Sequence, residues 1–486
     1  MNYRRALGIS AISNLVSFVL GFASVIVVSR LLTPDEIGIF SVAVSVLGIA
    51  HALREFGVSQ YLVQAKEVGE REFRAAFSVT LYTAWTIALI VFLARYPMAR
   101  FYGNEGIAEV LALMALNFMI LPLGTPLLAL LQRDLEFDKL AIVRICNATV
   151  SAGVTIATAW AGESYLSMAW GALAGHLSNL VVLNVMRPGK ILLRPQLRGL
   201  GSVVRFGSLS TVSTLIYEIG FGLPDLVFGR TLGFAAVAFH SRAFGLQKML
   251  MNQLLAIVRG VYFSSFAKEI RDGKDAAELY TRAMKYFVAV VMPAMAVTAL
   301  LAEPLILFFF GPQWERSIFL AQVICITTAI SAPYAMTPLT LIAGGHVART
   351  IPIQALTVGA RALVLMSSLW LTLEQVVVAL ILPAVLSCYL QHRELHRAYA
   401  LKASRFFAEI ARSIGLIPFS LALPGVALYL LPSIGQAPAA HFLTLAICAS
   451  LAAIGWIAGV FVLDHPYRQE IIGLAYRLTG KRHPTT

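Results

Sequence analysis

About fourteen long apolar segments run through this chain, and its basic residues avoid every second connection between them. A sequence built this way folds across a membrane, with one set of loops on each side. A bilayer-crossing helix needs about 20 mostly apolar residues. Such runs fall near residues 7–29, 38–56, 76–95, 107–131, 140–161, 165–186, 203–223, 233–257, 284–303, 317–342, 352–373, 375–391, 413–432 and 439–463. With 58% of residues hydrophobic and only 13% charged, an ordinary soluble domain is excluded. If the N-terminus is cytosolic, the even-numbered connections are cytosolic too, and thirty of the 38 Lys and Arg sit in cytosolic segments. Five lie outside: Arg30, Arg95, Arg100, Arg230 and Arg316. Arg242, Lys248 and Arg361 fall inside spans. This positive-inside bias predicts that both termini are cytosolic. The net charge of +13 is then explained by membrane edges meeting anionic lipid, so it calls for no nucleic acid.

Extramembrane segments are short, the longest being near residues 57–75, 258–284 and 392–412, so no soluble catalytic domain is hidden between spans. The first apolar run has full span length and no cleavage pattern, which marks it as a span rather than a signal peptide. Cys146, Cys325, Cys388 and Cys448 lie in apolar segments without CxxC or Cys/His spacing, arguing against disulfides and metal sites. From Arg259 to Lys285 charges of both signs alternate, as in a solvated amphipathic connection between two halves. No phosphate-binding loop of the Walker type is present, and no cofactor is implied.

An internal repeat supports that division. Ser29-Arg30-Leu31-Leu32, Phe101-Tyr102-Gly103 and Thr125-Pro126-Leu127-Leu128 are echoed in order by Gly229-Arg230-Thr231-Leu232, Phe309-Phe310-Gly311 and Thr337-Pro338-Leu339-Thr340. Six spans separate the copies, which gives repeats of parallel topology. The fold expected is an all-α polytopic membrane protein, with two pseudo-symmetric six-helix bundles, residues 1–200 and 201–400, and two further helices with a cytosolic tail in 401–486.

Polar groups inside the spans mark the candidate site. Ser10, Asn14, Ser17, Gly21 and Ser24 share one helical face, as do Ser210, Thr214, Glu218, Gly222 and Asp225 in the repeat mate. Such stripes suit a wet cavity or close packing of small residues, not lipid. A charge at the bilayer centre costs roughly 2.5–3.5 kcal/mol even on insertion scales. Arg242, Arg361 and Lys248 would together attract an anion such as a diphosphate, with Arg offering bidentate contact; pairing with Glu218 or Asp225 purely for packing is the structural alternative. Arg30, Arg54 and Arg230 stand at span ends, where anchoring is the default. His51, His176 and His240 offer proton relay or hydrogen-bonded packing. Pro122, Pro126, Pro293, Pro333 and Pro338 predict kinks or breaks within spans.

Several stretches resemble Wzx-type oligosaccharide flippases, of the polysaccharide transporter branch of the MOP superfamily. They are Phe22-Ala23, Ser29 through Gly38, Arg54-Glu55-Phe56-Gly57-Val58-Ser59-Gln60, Leu131-Gln132-Arg133-Asp134-Leu135-Glu136-Phe137, His240-Ser241-Arg242-Ala243 and Phe310-Gly311-Pro312-Gln313-Trp314. The likeness runs from about residue 8 to 400. Where relatives often carry Phe-Pro after the eighth span, this chain has Tyr262-Phe263-Ser264-Ser265-Phe266. The superfamily also holds multidrug extruders and the peptidoglycan precursor flippase. What the resemblance implies is movement of an undecaprenyl-diphosphate-linked oligosaccharide from the cytosolic to the periplasmic leaflet of the bacterial inner membrane, by alternating access, for exopolysaccharide, capsule or O-antigen (lipopolysaccharide) assembly. A polysaccharide polymerase and export machinery would be its partners. On that reading Arg242 and Arg361 contact diphosphate or acidic sugar, Lys248, Arg30 and Arg54 add contacts, and Glu218 and Asp225 couple cations. A multidrug antiporter of the same superfamily is the rival; a membrane polymerase or glycosyltransferase, or a membrane scaffold, fits less well.

Overall fold

The computed structural model describes residues 3–55, 69–187, 195, 200–430 and 438–478, and every regular element among them is helical. Contacts divide the chain into two compact units, Met1–Ala238 and Phe239–Thr486. Among the described residues, twelve helical stretches are long and apolar enough to cross a membrane, so the protein is a multi-pass membrane protein. The expected spans near 203–223 and 233–257 are helices of ample length, α7 (Leu200–Thr231) and α8 (Phe234–Arg271), but they are not among the twelve. Along α8, His240, Arg242, Gln247 and Lys248 lower the hydropathy, and α7 carries Glu218, Asp225 and Arg230.

The first unit begins with α1 (Tyr3–Leu31), α2 (Pro34–Glu55), α3 (Glu70–Tyr102), α4 (Gly106–Arg133), α5 (Phe137–Trp160) and α6 (Leu166–Met186). Glycine sets the approach of α6 to α5. A side chain at Gly171 would collide with Thr155 and the Ser151 carbonyl, and one at Gly175 would press on Asn147. This is the small-xxx-small packing that lets membrane helices meet without a hydrophobic driving force. Pro122 and Pro126 lie inside a continuous α4.

Helix ends in this unit are satisfied by side chains from elsewhere. Thr33 precedes α2; its N–H donates to Glu36 Oε2 (2.7 Å) while the Glu36 N–H donates back to Thr33 Oγ1 (3.4 Å), the reciprocal arrangement of a capping box. The Ser164 hydroxyl donates to the other Glu36 oxygen. Asp35 Oδ1 accepts from Ala235 N at 3.1 Å, which caps the first turn of α8 from a distant helix. At Gly38 the backbone of Phe234 comes so close that any Cβ would overlap its carbonyl group.

The second unit continues α8 and adds α9 (Ala276–Leu300), α10 (Ala302–Phe309), α11 (Ser317–Ser331), α12 (Thr337–Ala343), α13 (Thr350–Met366), α14 (Leu373–Ala379), α15 (Ile381–Tyr399), α16 (Ala403–Ile414), α17 (Leu416–Leu430), α18 (Pro438–Val462) and α19 (Tyr467–Leu478). The expected solvated connection before residue 285 is mostly helix: only a turn, with Gly273 at φ +81°, separates α8 from α9. The expected span 317–342 is one apolar stretch, Ser317–Ala343, in which the α-helix tightens to a 3-10 turn at Ala332–Tyr334. Pro333 cannot donate to the helix ladder, and the Tyr280 hydroxyl donates to its carbonyl at 2.8 Å. Tyr262 reaches Thr340 Oγ1 at 2.7 Å, and that hydroxyl donates to Met336 O.

Two consequences can be measured. Gly38→Ala forces α2 away from Phe234, so membrane abundance and thermal stability should fall by about 1–3 kcal/mol, the usual cost of overpacking; a stability equal to wild type would contradict the contact. The second concerns His465, 1% exposed. The Ser413 hydroxyl donates to Lys285 O (2.8 Å) and so accepts from His465 Nε2 (3.0 Å), while His465 Nδ1 accepts from Tyr467 N at the start of α19 (3.2 Å). Both ring nitrogens are thus used by the neutral imidazole. Burial, with Lys285 nearby, holds its pKa below the ordinary value. A depressed histidine contributes stability that is present above its unfolded pKa of about 6.5 and lost as pH falls below it. Unfolding scans of the solubilised protein should therefore show a drop in midpoint between pH 7 and 5 that is smaller in His465→Gln.

Candidate functional site

In the first unit, α7 lays its polar stripe along α2. Asp225 Oδ2 accepts from the Ser45 hydroxyl at 2.9 Å, and a Cβ at Gly48 would stand 3.2 Å from Glu218 Oε2. Gly222 abuts Ser45, and Gly229 leaves no room for a side chain beside Val42. Glu218 and Asp225 are half-buried. Small residues on α2 thus make the space that two carboxylates occupy, so the second stripe combines both sequence readings, packing and an ionisable interior. Tyr102 donates to Leu226 O at 3.2 Å, and Arg230 lies 5.4 Å over the Phe101 ring. Ser210 carries no described side chain, although its backbone belongs to α7.

Arg54 is buried at the end of α2, 7% exposed, within electrostatic range of His51 and His176. His51 packs 4.5 Å from Phe118, ring centre to ring centre. Arg30 is exposed at the end of α1. The first polar stripe meets a base that the sequence reading passed over: Arg144 of α5 donates to Asn14 Oδ1 at 2.8 Å. Its signal was present, because Arg144 falls inside the apolar run 140–161, with Leu140–Val143 and Ile145–Cys146 on either side.

The second unit holds Arg242, Lys248 and Arg361, each half-buried, the first two on α8 and the third on α13. Arg242 is the best defined. Its Cζ stands 5.2 Å from the Trp314 ring centre and 5.9 Å from that of Phe310, inside cation–π range. Its Nε is buried and makes no hydrogen bond among the described residues. The platform is built by a turn: Gly311 adopts φ +101°, Pro312 starts a short helix, and Trp314 is fully buried, edge-on to Phe239 at 6.0 Å. Arg316 lies 5.5 Å from the Phe239 ring centre and pairs with Glu374 at 3.1 Å. His240 is buried and stacks on Phe244.

Each unit thus carries ionisable side chains along its helices, and among the described residues no group of three or more His, Cys, Asp or Glu could hold a metal ion. A family model described as polysaccharide biosynthesis protein matches residues 27–319, more than half of the chain. The chain belongs to that family. The lipopolysaccharide biosynthesis protein WzxC of Escherichia coli (strain K12) is 24% identical over 323 residues, 65% of each chain. The succinoglycan biosynthesis transport protein ExoT of Rhizobium meliloti (strain 1021) is 25% identical over 332 residues, 68% of this chain and 67% of that one. The chain thus spans about two thirds of the length of the curated relatives it matches. A solved structure of the lipid II flippase MurJ, in an inward closed conformation, aligns with a TM-score of 0.73 at 11% identity over 95% of this chain and 99% of that one. An inward-facing multidrug resistance MATE family transporter of the MOP superfamily gives 0.64 at 15%, over 81% and 95%. At these identities the likeness is one of fold.

In this polysaccharide biosynthesis protein the Leu131–Phe137 stretch is a staple between helices. Arg187, following α6, binds Asp134 (3.1 Å) and Glu136 (2.8 Å), and Lys139 adds a third contact to Glu136 at 3.0 Å. The Arg187 guanidinium holds the Glu136 carboxyl below its ordinary pKa, and Leu135 takes a positive φ of 57° to make the turn. The His240–Ala243 and Phe310–Trp314 stretches meet in the Arg242 platform. For the Ser45–Asp225 bond, Asp225→Ala should lower the unfolding free energy by about 1 kcal/mol, and adding Ser45→Ala should cost little more. Strictly additive losses would show that the two side chains act separately.

Proposed function

We propose that this protein flips an undecaprenyl-diphosphate-linked oligosaccharide from the cytosolic to the periplasmic leaflet of the bacterial inner membrane by alternating access, supplying exopolysaccharide, capsule or O-antigen assembly. One observation carries the reading: α7 and α8 are long enough to span a bilayer, yet α7 carries Glu218 and Asp225 and α8 carries Arg242 and Lys248 along their lengths. Helices of that kind line a hydrophilic route, since ionisable side chains at membrane depth face an interior rather than lipid. The family match, the transport name of ExoT and the flippase fold of MurJ support it.

On this reading the chain has fourteen spans with both termini cytosolic, α7 and α8 being the seventh and eighth. Its plan is a bundle in 1–200, a second in 201–400 and two added helices in 401–486. Arg242 and Arg361 bind diphosphate or acidic sugar. Lys248, Arg30 and Arg54 give further contacts, and Glu218 and Asp225 couple a cation. A polymerase and export machinery would receive the product. The multidrug antiporter reading draws on the MATE fold and on the two carboxylates; the three in-span bases favour the anionic substrate.

The test is export of surface polysaccharide in a host lacking the protein, with lipid-linked intermediates assayed on both leaflets. Cytosol-facing intermediates should accumulate and clear on return of wild type, while Arg242→Ala and Arg361→Ala reduce export at unchanged membrane abundance. Loss of abundance would assign those arginines to packing. Unchanged polysaccharide with altered drug sensitivity would replace the flippase reading by the antiporter.

A further inference from the structure

A second charged site lies apart from the polar helices, wholly within the second unit. The first turns of α9 and the junction between α15 and α16 enclose a cleft of about 400 Å³ lined by Arg282, Lys285, Lys402 and Arg405. Asp275, Glu278 and Glu409 also line it. Asp275 is spent capping α9, where it accepts from Ala277 N at 2.9 Å, and Glu409 is spent on Lys285 at 2.6 Å. Arg282 keeps only a 3.7 Å approach to Glu269. Lys402 and Arg405 are exposed and form no ion pair among the described residues. Lys402, Arg405, which lies within electrostatic range of Glu409 without an ion pair to it, and the weakly paired Arg282 therefore outnumber the one remaining carboxylate, Glu278.

The fold aims these bases deliberately. Ala400 adopts φ +54°, a conformation that disfavours alanine, and the chain then turns into α16 at Lys402, which offers no side-chain cap. Along α16, Phe406, Ile410 and Ser413 are buried, whereas Lys402, Arg405, Phe407 and Arg412 remain outside. The depth of the cleft follows from its walls. Three membrane-crossing stretches have an end here: Ala276–Leu300 and Ala403–Leu430 start at it, and Leu373–Tyr399 finishes at it. The hydrocarbon boundary is therefore close by, at the level where lipid phosphates sit, and the exposed Phe407 ring suits that interface.

We propose that this cleft binds the phosphate of an anionic lipid headgroup at the membrane surface, held by Lys402, Arg405 and Arg282. The site does not rest on the flipping reading, because binding can be measured without transport. Full-length detergent-solubilised protein would be titrated with fluorescent phosphatidylglycerol, with phosphatidylcholine as the neutral comparison and inorganic phosphate as the soluble one. Wild type should prefer phosphatidylglycerol, and Lys402→Gln with Arg405→Gln should weaken it on the order of tenfold while phosphatidylcholine binding stays the same. The charge-keeping pair Lys402→Arg with Arg405→Lys should retain the preference. Undiminished phosphatidylglycerol binding by the glutamine pair overturns the site. If that pair does not fold, wild type in high salt decides: a preference that survives salt overturns the proposal, and its loss supports it. Phosphate binding that phosphatidylglycerol fails to displace overturns the lipid assignment.

Discussion

Ionisable side chains at membrane depth are the constraint around which the interior is arranged. Each must be given space, a partner or a polarisable surface, because hydrocarbon offers none of these. The two units meet the demand by different means. In the first, Gly48 and Ser45 on α2 stand opposite Glu218 and Asp225 on α7, so the carboxylates fill volume that larger side chains would have taken. In the second, Arg242 lies over Phe310 and Trp314, whose ring faces carry the negative end of a quadrupole. A guanidinium on aromatic faces keeps its charge and its donors, whereas one locked in a carboxylate pair would have both committed.

Helix ends raise the same problem for the backbone. Connections here are short, so loops supply few groups to satisfy orphan N–H and C=O atoms, and side chains from other helices do so instead. Asp35 serves Ala235, Ser164 joins Glu36, and Tyr280 serves Pro333. These contacts explain why the Thr33–Gly38 stretch carries so specific a sequence. Thr33 and Glu36 close their own cap, Asp35 faces another helix, and Gly38 permits that helix to come near.

Much of this architecture was legible in the residues, since apolar run length fixes helix existence almost unaided. The helices at 7–29 and 165–186 follow that rule closely. Legibility failed where local sequence underdetermines the backbone. The Pro-containing segments look alike in both repeat copies, yet α4 runs unbroken through Pro122 and Pro126 while the α-helix tightens to a 3-10 turn at Pro333. What separates them is a tertiary partner, the Tyr280 hydroxyl, which no window around Pro333 reveals. Likewise α16 reads as a charged connection, but Phe406, Ile410 and Ser413 at steps of four and three turn it into a packed amphipathic helix. For the site, the sequence marked Arg242, Glu218 and Asp225 by charge in an apolar run; it could not show that Phe310 and Trp314, about seventy residues on, would underlie Arg242, or that Arg144 would face Asn14.

The continuity of α8 joins two of these features along one helix. It runs 38 residues from Phe234 to Arg271 without a proline, in contrast to α7, which contains Pro224. At 1.5 Å of rise per residue, Ala235 and Arg242 are about 10 Å apart along one axis, close to two turns. Sharp bending over that distance needs a proline, an inserted group or a bulge. The Asp35 bond to Ala235 satisfies the first turn of this helix, and Arg242 follows two turns later in the same uninterrupted run of residues. A cap and a cation thus belong to one continuous helix, with no proline between them.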